Sequence, residues 1–113
     1  MSAITTHILD VSRGKPAAGV AIVLTIREGG IWRQLGQGTT DADGRLRSLL
    51  PEGEPLAAGT YQLWFDTAAY FGQSGAPCFF PEVSVSFTIA EPGGHYHVPL
   101  LLSPFGYSTY RGS

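Results

Sequence analysis

Residues 83–89 read Val-Ser-Val-Ser-Phe-Thr-Ile, a strict alternation of apolar and polar side chains. A two-residue period puts successive side chains on opposite faces, so this pattern specifies a half-buried β-strand. The period recurs along the chain. In Val20 to Arg27, Val20, Ile22, Leu24 and Ile26 alternate with Ala21, Val23 and Thr25. In Ile4 to Asp10, Thr5, His7 and Leu9 share one face, and in Thr60 to Thr67, Tyr61, Leu63 and Phe65 point inward. Ile31 to Leu35, Arg45 to Leu49, His95 to Leu102 and Gly106 to Arg111 complete a set of about eight short strands. In Arg45 to Leu49, the residues Arg45, Arg47 and Leu49 fall on one face. Pro99 lacks an N–H and moves its strand toward an edge or a bulge.

The punctuation between these runs is equally specific. Fifteen glycines and eight prolines are nearly twice the usual share of about 12%, which favours many turns over long helices. Turns are expected at Arg13-Gly14-Lys15-Pro16, Glu28-Gly29-Gly30, Thr40-Asp41-Ala42-Asp43-Gly44 and Glu91-Pro92-Gly93-Gly94, with a loop over Pro51 to Gly59. In the Asp-Gly turn, Asp bonds its own backbone two residues on and Gly supplies a positive φ. Ala68, Ala69, Tyr70 and Phe71 form the one segment suited to a helical turn. Strands spaced in this way predict an antiparallel β-sandwich.

The chain has 113 residues and a net charge of −2, so residues 1–113 are expected to form one domain, with no nucleic-acid partner. No apolar run approaches the roughly 20 residues of a membrane span. Met1 to Asp10 lacks the basic and apolar regions of a signal peptide. The single Cys78 provides no intrachain disulfide and no multi-Cys zinc site, which fits the cytoplasm. Only 14% of residues are charged, against about 25% in a typical domain. A surface so weakly charged is expected to face another subunit in part.

Few side chains can carry chemistry. His95-Tyr96-His97 places two imidazoles on one strand face. With His7 as a third ligand they are the bare minimum for a metal site. Without a metal, a neutral imidazole can take a proton from water and return it to a leaving group, and His7 and His97 can divide those jobs. A purely structural, hydrogen-bonded histidine is the plainer reading of each. Arg45 and Arg47 are either solvated surface or a clamp for an anion or amide, and Arg45 directly follows the Asp-Gly turn. Cys78, in a Pro- and Phe-rich loop, reads as packing. The C-terminal Tyr107 to Ser113 is aromatic and looks held, by a site or by a dimer edge.

Four segments then carry a resemblance: Thr5-Thr6-His7-Ile8-Leu9-Asp10; Gly14-Lys15-Pro16-Ala17; Thr40-Asp41-Ala42-Asp43-Gly44-Arg45; and His95-Tyr96-His97-Val98-Pro99-Leu100-Leu101-Leu102-Ser103 running on to Tyr110-Arg111-Gly112-Ser113. In order and content they resemble the 5-hydroxyisourate hydrolases of the transthyretin-like family. The terminal Tyr-Arg-Gly-Ser separates those hydrolases from the hormone-carrying transthyretins. The resemblance implies an all-β sandwich of two four-stranded sheets with one short helix. It implies a homotetramer with sites at the dimer–dimer interface, and neither metal nor cofactor. It also implies a catalytic set of His7, Arg45, His97 and Ser113, with Tyr110 and Arg111 joining His7 and Arg45 in binding 5-hydroxyisourate. His97 matches the family's second His, so His95 is the lesser candidate, and Arg47 is not the family arginine. The alternative on the same fold is a small-molecule carrier without catalysis.

Overall fold

Strand β1 (Ile4–Asp10) turns Ile4, Thr6, Ile8 and Asp10 inward and Thr5, His7 and Leu9 outward, the two faces that its alternation encodes. In the computed structural model, which describes residues 2–113, β1 is followed by β2 (Lys15–Pro16), β3 (Ala21–Glu28), β4 (Ile31–Thr39) and β5 (Arg45–Leu46). Then come β6 (Gly59–Phe65), α1 (Thr67–Gly72), β7 (Val83–Ile89), β8 (Tyr96–Ser103) and β9 (Gly106–Thr109). Met1, where the N-terminal reading begins, lies outside the described residues.

The strands form two sheets. One has the order β2-β1-β8-β9, with β5 also on β1; the other runs β4-β3-β6-β7. β2 pairs with Leu9 and Asp10 whereas β5 pairs with Thr6 and His7, so the two share one edge of β1. The first sheet is therefore four strands wide where β2 and β9 pair and three wide where β5 takes the edge. The inner faces meet in one core. Ile4, Ile8, Leu100 and Leu102 pack toward Ile22, Leu24, Leu63 and Phe65, all buried. Each such side chain stabilises the sandwich by roughly 1.5–3 kcal/mol relative to exposure.

Several expectations change in detail. β1 and β8 run parallel, from Ile4 opposite Tyr96 to Asp10 opposite Leu102, so the sandwich is not wholly antiparallel. That pairing makes β8 a central strand in spite of Pro99. The proline is accommodated because β9 pairing stops at Leu100 opposite Thr109, one residue short of it. The Pro99 carbonyl instead accepts from the Thr109 hydroxyl at 2.7 Å. Lys15 and Pro16 are a short strand and not part of the turn. The run after the Asp-Gly turn is a strand for only two residues. Leu49 is buried in the core with Leu46 while Arg47 is exposed, so Arg45, Arg47 and Leu49 do not share a face. β4 extends to Thr39 beyond Leu35, with a bulge opposite Leu24 and Thr25.

The helix forms where four residues were expected to turn. Asp66 caps it, accepting from the Ala69 N–H at 3.1 Å, which satisfies one of the donors a helix start leaves open. Tyr70 then donates its hydroxyl to Asp10 Oδ2 at 2.8 Å. The buried Asp10 also accepts from Ser12, so the C-terminal end of β1 is pinned between the helix and the following turn. Burial and the Asp10 contact together push the Tyr70 phenol above its ordinary pKa.

Gly44 decides how the chain enters β5. Its φ is +74°, and a Cβ there would stand 2.5 Å from the Ile8 carbonyl oxygen. Gly44→Ala is expected to destabilise the fold by about 1–3 kcal/mol from backbone conformation alone, with the clash adding to it. A lower urea midpoint at fixed protein concentration checks this.

Candidate active site

The outward face of the first sheet gathers side chains from both ends of the sequence. The β1–β8 register places Thr5 opposite His97 and His7 opposite Pro99. The β1–β5 register places His7 opposite Arg45. Residues two apart on a strand point the same way, so Thr5 and His7 stand in line, flanked by His97 on one side and Arg45 on the other.

Arg45 is aimed by the turn that precedes it. The Asp41 carboxylate accepts the Asp43 N–H at 2.9 Å and the Arg45 N–H at 3.0 Å. The Asp41 N–H donates to the Arg45 carbonyl at 2.9 Å. The Arg45 N–H bond, more than anything else, holds the Asp41 carboxyl below the ordinary carboxylate range. Local sequence thus fixes the backbone from which the guanidinium projects.

A cleft of about 230 Å³ opens on this face, lined by Thr5, Thr6, Arg45, Arg47, His95, His97 and Ser113. Three of the four expected catalytic residues, Arg45, His97 and Ser113, share its wall. His7 is outside that lining but lies next to it through its pairing with Arg45. Arg47 and His95, the lesser candidates, are in the wall as well. Tyr110 and Arg111 are not. They line a neighbouring hollow of about 190 Å³ with Val85, Phe87, Tyr96 and Thr109, which meets the cleft only at His97. Arg111 stacks over the Tyr96 ring at 4.9 Å.

The chain terminus is held by β8. The Gly112 N–H donates to the His97 carbonyl at 2.8 Å, in a bridge that stands alone beyond β9. A Cβ on Gly112 would meet His97 Cδ2 at 2.6 Å, so this position needs glycine for the imidazole to lie against it. Ser113 follows into the cleft.

Both central imidazoles are held below their ordinary pKa. For His97 the larger cause is burial, followed by the Arg45 cation and then by His7 and His95. For His7 it is burial and then Arg45, partly offset by a backbone bond at Asp43 and the charges of Asp41 and Asp43. Both rings are therefore neutral at pH 7 and can accept a proton. A guanidinium beside them can orient a planar amide and stabilise an oxyanion.

The residue that sequence reasoning left without a role is Thr5. Its buried hydroxyl oxygen lies 2.8 Å from His97 Nδ1 and 3.2 Å from His95 Nε2. Its place two residues before His7, on the same face, was the available signal. One ring nitrogen of each H-x-H histidine is thus turned to the same hydroxyl. No group of three or more His, Cys, Asp or Glu among the described residues is arranged to hold a metal ion. Cys78 bonds the Phe80 carbonyl at 3.2 Å, away from the cleft.

Two sheets of this order, with one short helix and a polar cleft on the outward face of the first, define a transthyretin-like β-sandwich. The profile of the HIUase/Transthyretin family matches residues 4–112, and the chain belongs to that family. It is 50% identical to the 5-hydroxyisourate hydrolase of Salmonella dublin, over 97% of this chain and 80% of that protein. Among solved structures, transthyretin from Sparus aurata superposes with a TM-score of 0.91 at 37% identity, covering 99% of this chain and 97% of that one. The 5-hydroxyisourate hydrolase of Klebsiella pneumoniae gives 0.83 at 41% identity, covering 97% and 98%. The backbone is thus shared by a transthyretin and a hydrolase alike, and the fold alone does not separate them.

Proposed function

We propose that the chain, acting as one domain over residues 1–113, hydrolyses 5-hydroxyisourate to 2-oxo-4-hydroxy-4-carboxy-5-ureidoimidazoline in urate degradation. The observation that carries this is the meeting of His97, Arg45 and the C-terminal Ser113 in one cleft, with His7 beside it, in a chain half identical to a named hydrolase. In the reaction, a neutral imidazole, His97 with help from His7, takes a proton from water. The hydroxide adds to the ring carbonyl and Arg45 stabilises the oxyanion. The C–N bond then breaks, and the imidazolium returns its proton to the departing nitrogen. Ser113, in the cleft wall, orients the water or a histidine.

A carrier would share the fold, and the transthyretin superposition favours it on backbone alone. A carrier has no use for two neutral imidazoles beside a guanidinium. The direct test is to add the protein to urate undergoing oxidation by urate oxidase and follow the ultraviolet absorbance of transient 5-hydroxyisourate. Decay faster than the spontaneous rate supports the hydrolase; decay at the spontaneous rate leaves the carrier.

The pH dependence has a definite sign. The base must be unprotonated, and both histidines are shifted downward. We expect kcat/KM to hold through pH 7 and to fall only as pH drops below the ordinary histidine value of about 6.5. Arg45→Leu removes a cation that lowers both rings. It is expected to move that limb to higher pH and to cut kcat by about 10²–10³-fold. A limb that stays in place in the variant would count against Arg45 as the electrostatic partner.

We assign the working form to a homotetramer in the cytoplasm. The sparse charge and the exposed Phe79, Phe105, Tyr107 and Tyr110 support an assembly, and the free Cys78 suits a reducing compartment. In the tetramer, Tyr110 and Arg111, which the single chain holds outside its own cleft, contact substrate at the subunit interface. Sedimentation at equilibrium tests the subunit number.

A further inference from the structure

We propose that Thr5 is a positioning residue for this hydrolysis: its hydroxyl fixes His97 as the Nδ1–H tautomer and leaves Nε2 bare to receive the proton of the attacking water. The inference rests on the hydrolase reading above and adds a residue to it.

The argument begins with one proton. A hydroxyl can donate only once, yet Thr5 Oγ1 stands within bonding distance of two ring nitrogens, His97 Nδ1 at 2.8 Å and His95 Nε2 at 3.2 Å. At least one ring must therefore donate to it. A Thr5 backbone bond to the His97 ring favours its protonated form, as an acceptor carbonyl facing a ring N–H does, and with Nδ1 the nitrogen on the Thr5 side the geometry assigns the donor role to His97. His97 Nδ1–H donates to Thr5, and the Thr5 O–H donates to His95 Nε2. The arrangement gives the buried hydroxyl both a donor and an acceptor. It also gives His95 a defined task, as the acceptor of the Thr5 O–H bond, which turns the hydroxyl's lone pair toward His97.

The ring is held on both flanks. Nδ1 and Cδ2 lie on either side of Cγ. Thr5 takes the first, and the Gly112 backbone lies against the second, where a Cβ would come within 2.6 Å. A half-turn of the ring would exchange these edges and put a carbon against the Thr5 hydroxyl, losing the bond. The tip of the ring left outside these two contacts is Nε2. When Nε2 gains a proton during the reaction, the Nδ1–H bond to Thr5 is already in place, so no hydrogen bond has to reverse. An imidazole fixed in this way is pre-organised as a base.

The test combines spectroscopy with kinetics. Nitrogen-15 spectra of the histidine rings above pH 7 should show wild-type His97 protonated at Nδ1. In Thr5→Val, nearly the same size without the hydroxyl, that population should move toward the Nε2–H form. In the urate-oxidase assay kcat should fall about 10–100-fold, the range seen when the partner that orients a working imidazole is lost, while KM changes less than about twofold. Thr5→Ser should restore both the tautomer and most of kcat. His95→Ala, which frees the hydroxyl to donate to His97, should move the tautomer in the same direction as Thr5→Val. An active wild-type enzyme whose His97 is protonated at Nε2 overturns the role of Thr5 and leaves the hydrolase reading intact. So does a folded Thr5→Val with unchanged kcat. A wild-type protein that leaves 5-hydroxyisourate decay at its spontaneous rate overturns the hydrolase reading, and with it the catalytic role of Thr5, whatever the spectra show. The wild-type spectrum needs no variant to fold.

Discussion

His97→Ala is expected to lower kcat by about 10²–10⁴-fold, the usual contribution of a positioned acid–base residue, with the fold retained. The ring stands on the outward face, only part-buried and outside the apolar core. Its removal frees the hydroxyl of Thr5 and opens a gap beside Gly112, but empties nothing between the sheets. Rate and stability should therefore separate: single-turnover decay of 5-hydroxyisourate slows sharply while the urea midpoint moves little. The variant also reads the division of labour. If His97 is the base and His7 its helper, His7→Ala should cost less than His97→Ala, and the double variant less than the product of the two, because groups acting on one proton are not additive. Near wild-type turnover by His97→Ala would falsify the assignment.

Deleting residues 110–113 is expected to abolish measurable hydrolysis while leaving a folded protein. The segment lies beyond β9, and among the described residues its backbone link to the sheet is the Gly112 bridge to His97. Loss of that link costs little of the stability held by the two packed sheets. The effect on the site is larger. Ser113 leaves the cleft wall, Gly112 no longer backs the His97 ring, and Tyr110 and Arg111 are gone from the adjoining hollow. Far-ultraviolet circular dichroism and sedimentation should match the full chain, and the coupled assay should return the spontaneous rate. Unfolding of the truncated chain would mean that the tail is structural. Full activity would remove Ser113 from the mechanism.

The fold and the site differ in how far they could be read from sequence, for a physical reason. Alternation is local: each residue of β7 declares its face by its own polarity, and Ile4–Asp10 and Val83–Ile89 have the bounds that their patterns set. Turn chemistry is local too. Asp41 and Gly44 encode the corner that aims Arg45 through bonds spanning two to four residues. Where a tertiary partner intervenes, local reading falters. Pro99 argues for an edge, yet the strand is central because β9 ends one residue short of it. Arg45 to Leu49 keeps a strand's period, but Leu49 is drawn into the core and the strand stops after Leu46.

For this protein, then, the sequence by itself determined the strands, their faces, the Asp-Gly corner and the family's four segments. Period and turn propensity are properties of neighbouring residues, and the segments are strings of them. Only the tertiary structure decided that Thr5 stands between His95 and His97, some 90 residues away, that Gly112 backs the His97 ring, and that Tyr110 and Arg111 open onto a different hollow from Ser113. Those contacts follow from the parallel register of β1 on β8. A one-residue slip in that register would turn every one of the strand's side chains to the other face. What fixes the register is the fit of Ile4, Ile8, Leu100 and Leu102 into a shared core, which no single segment contains.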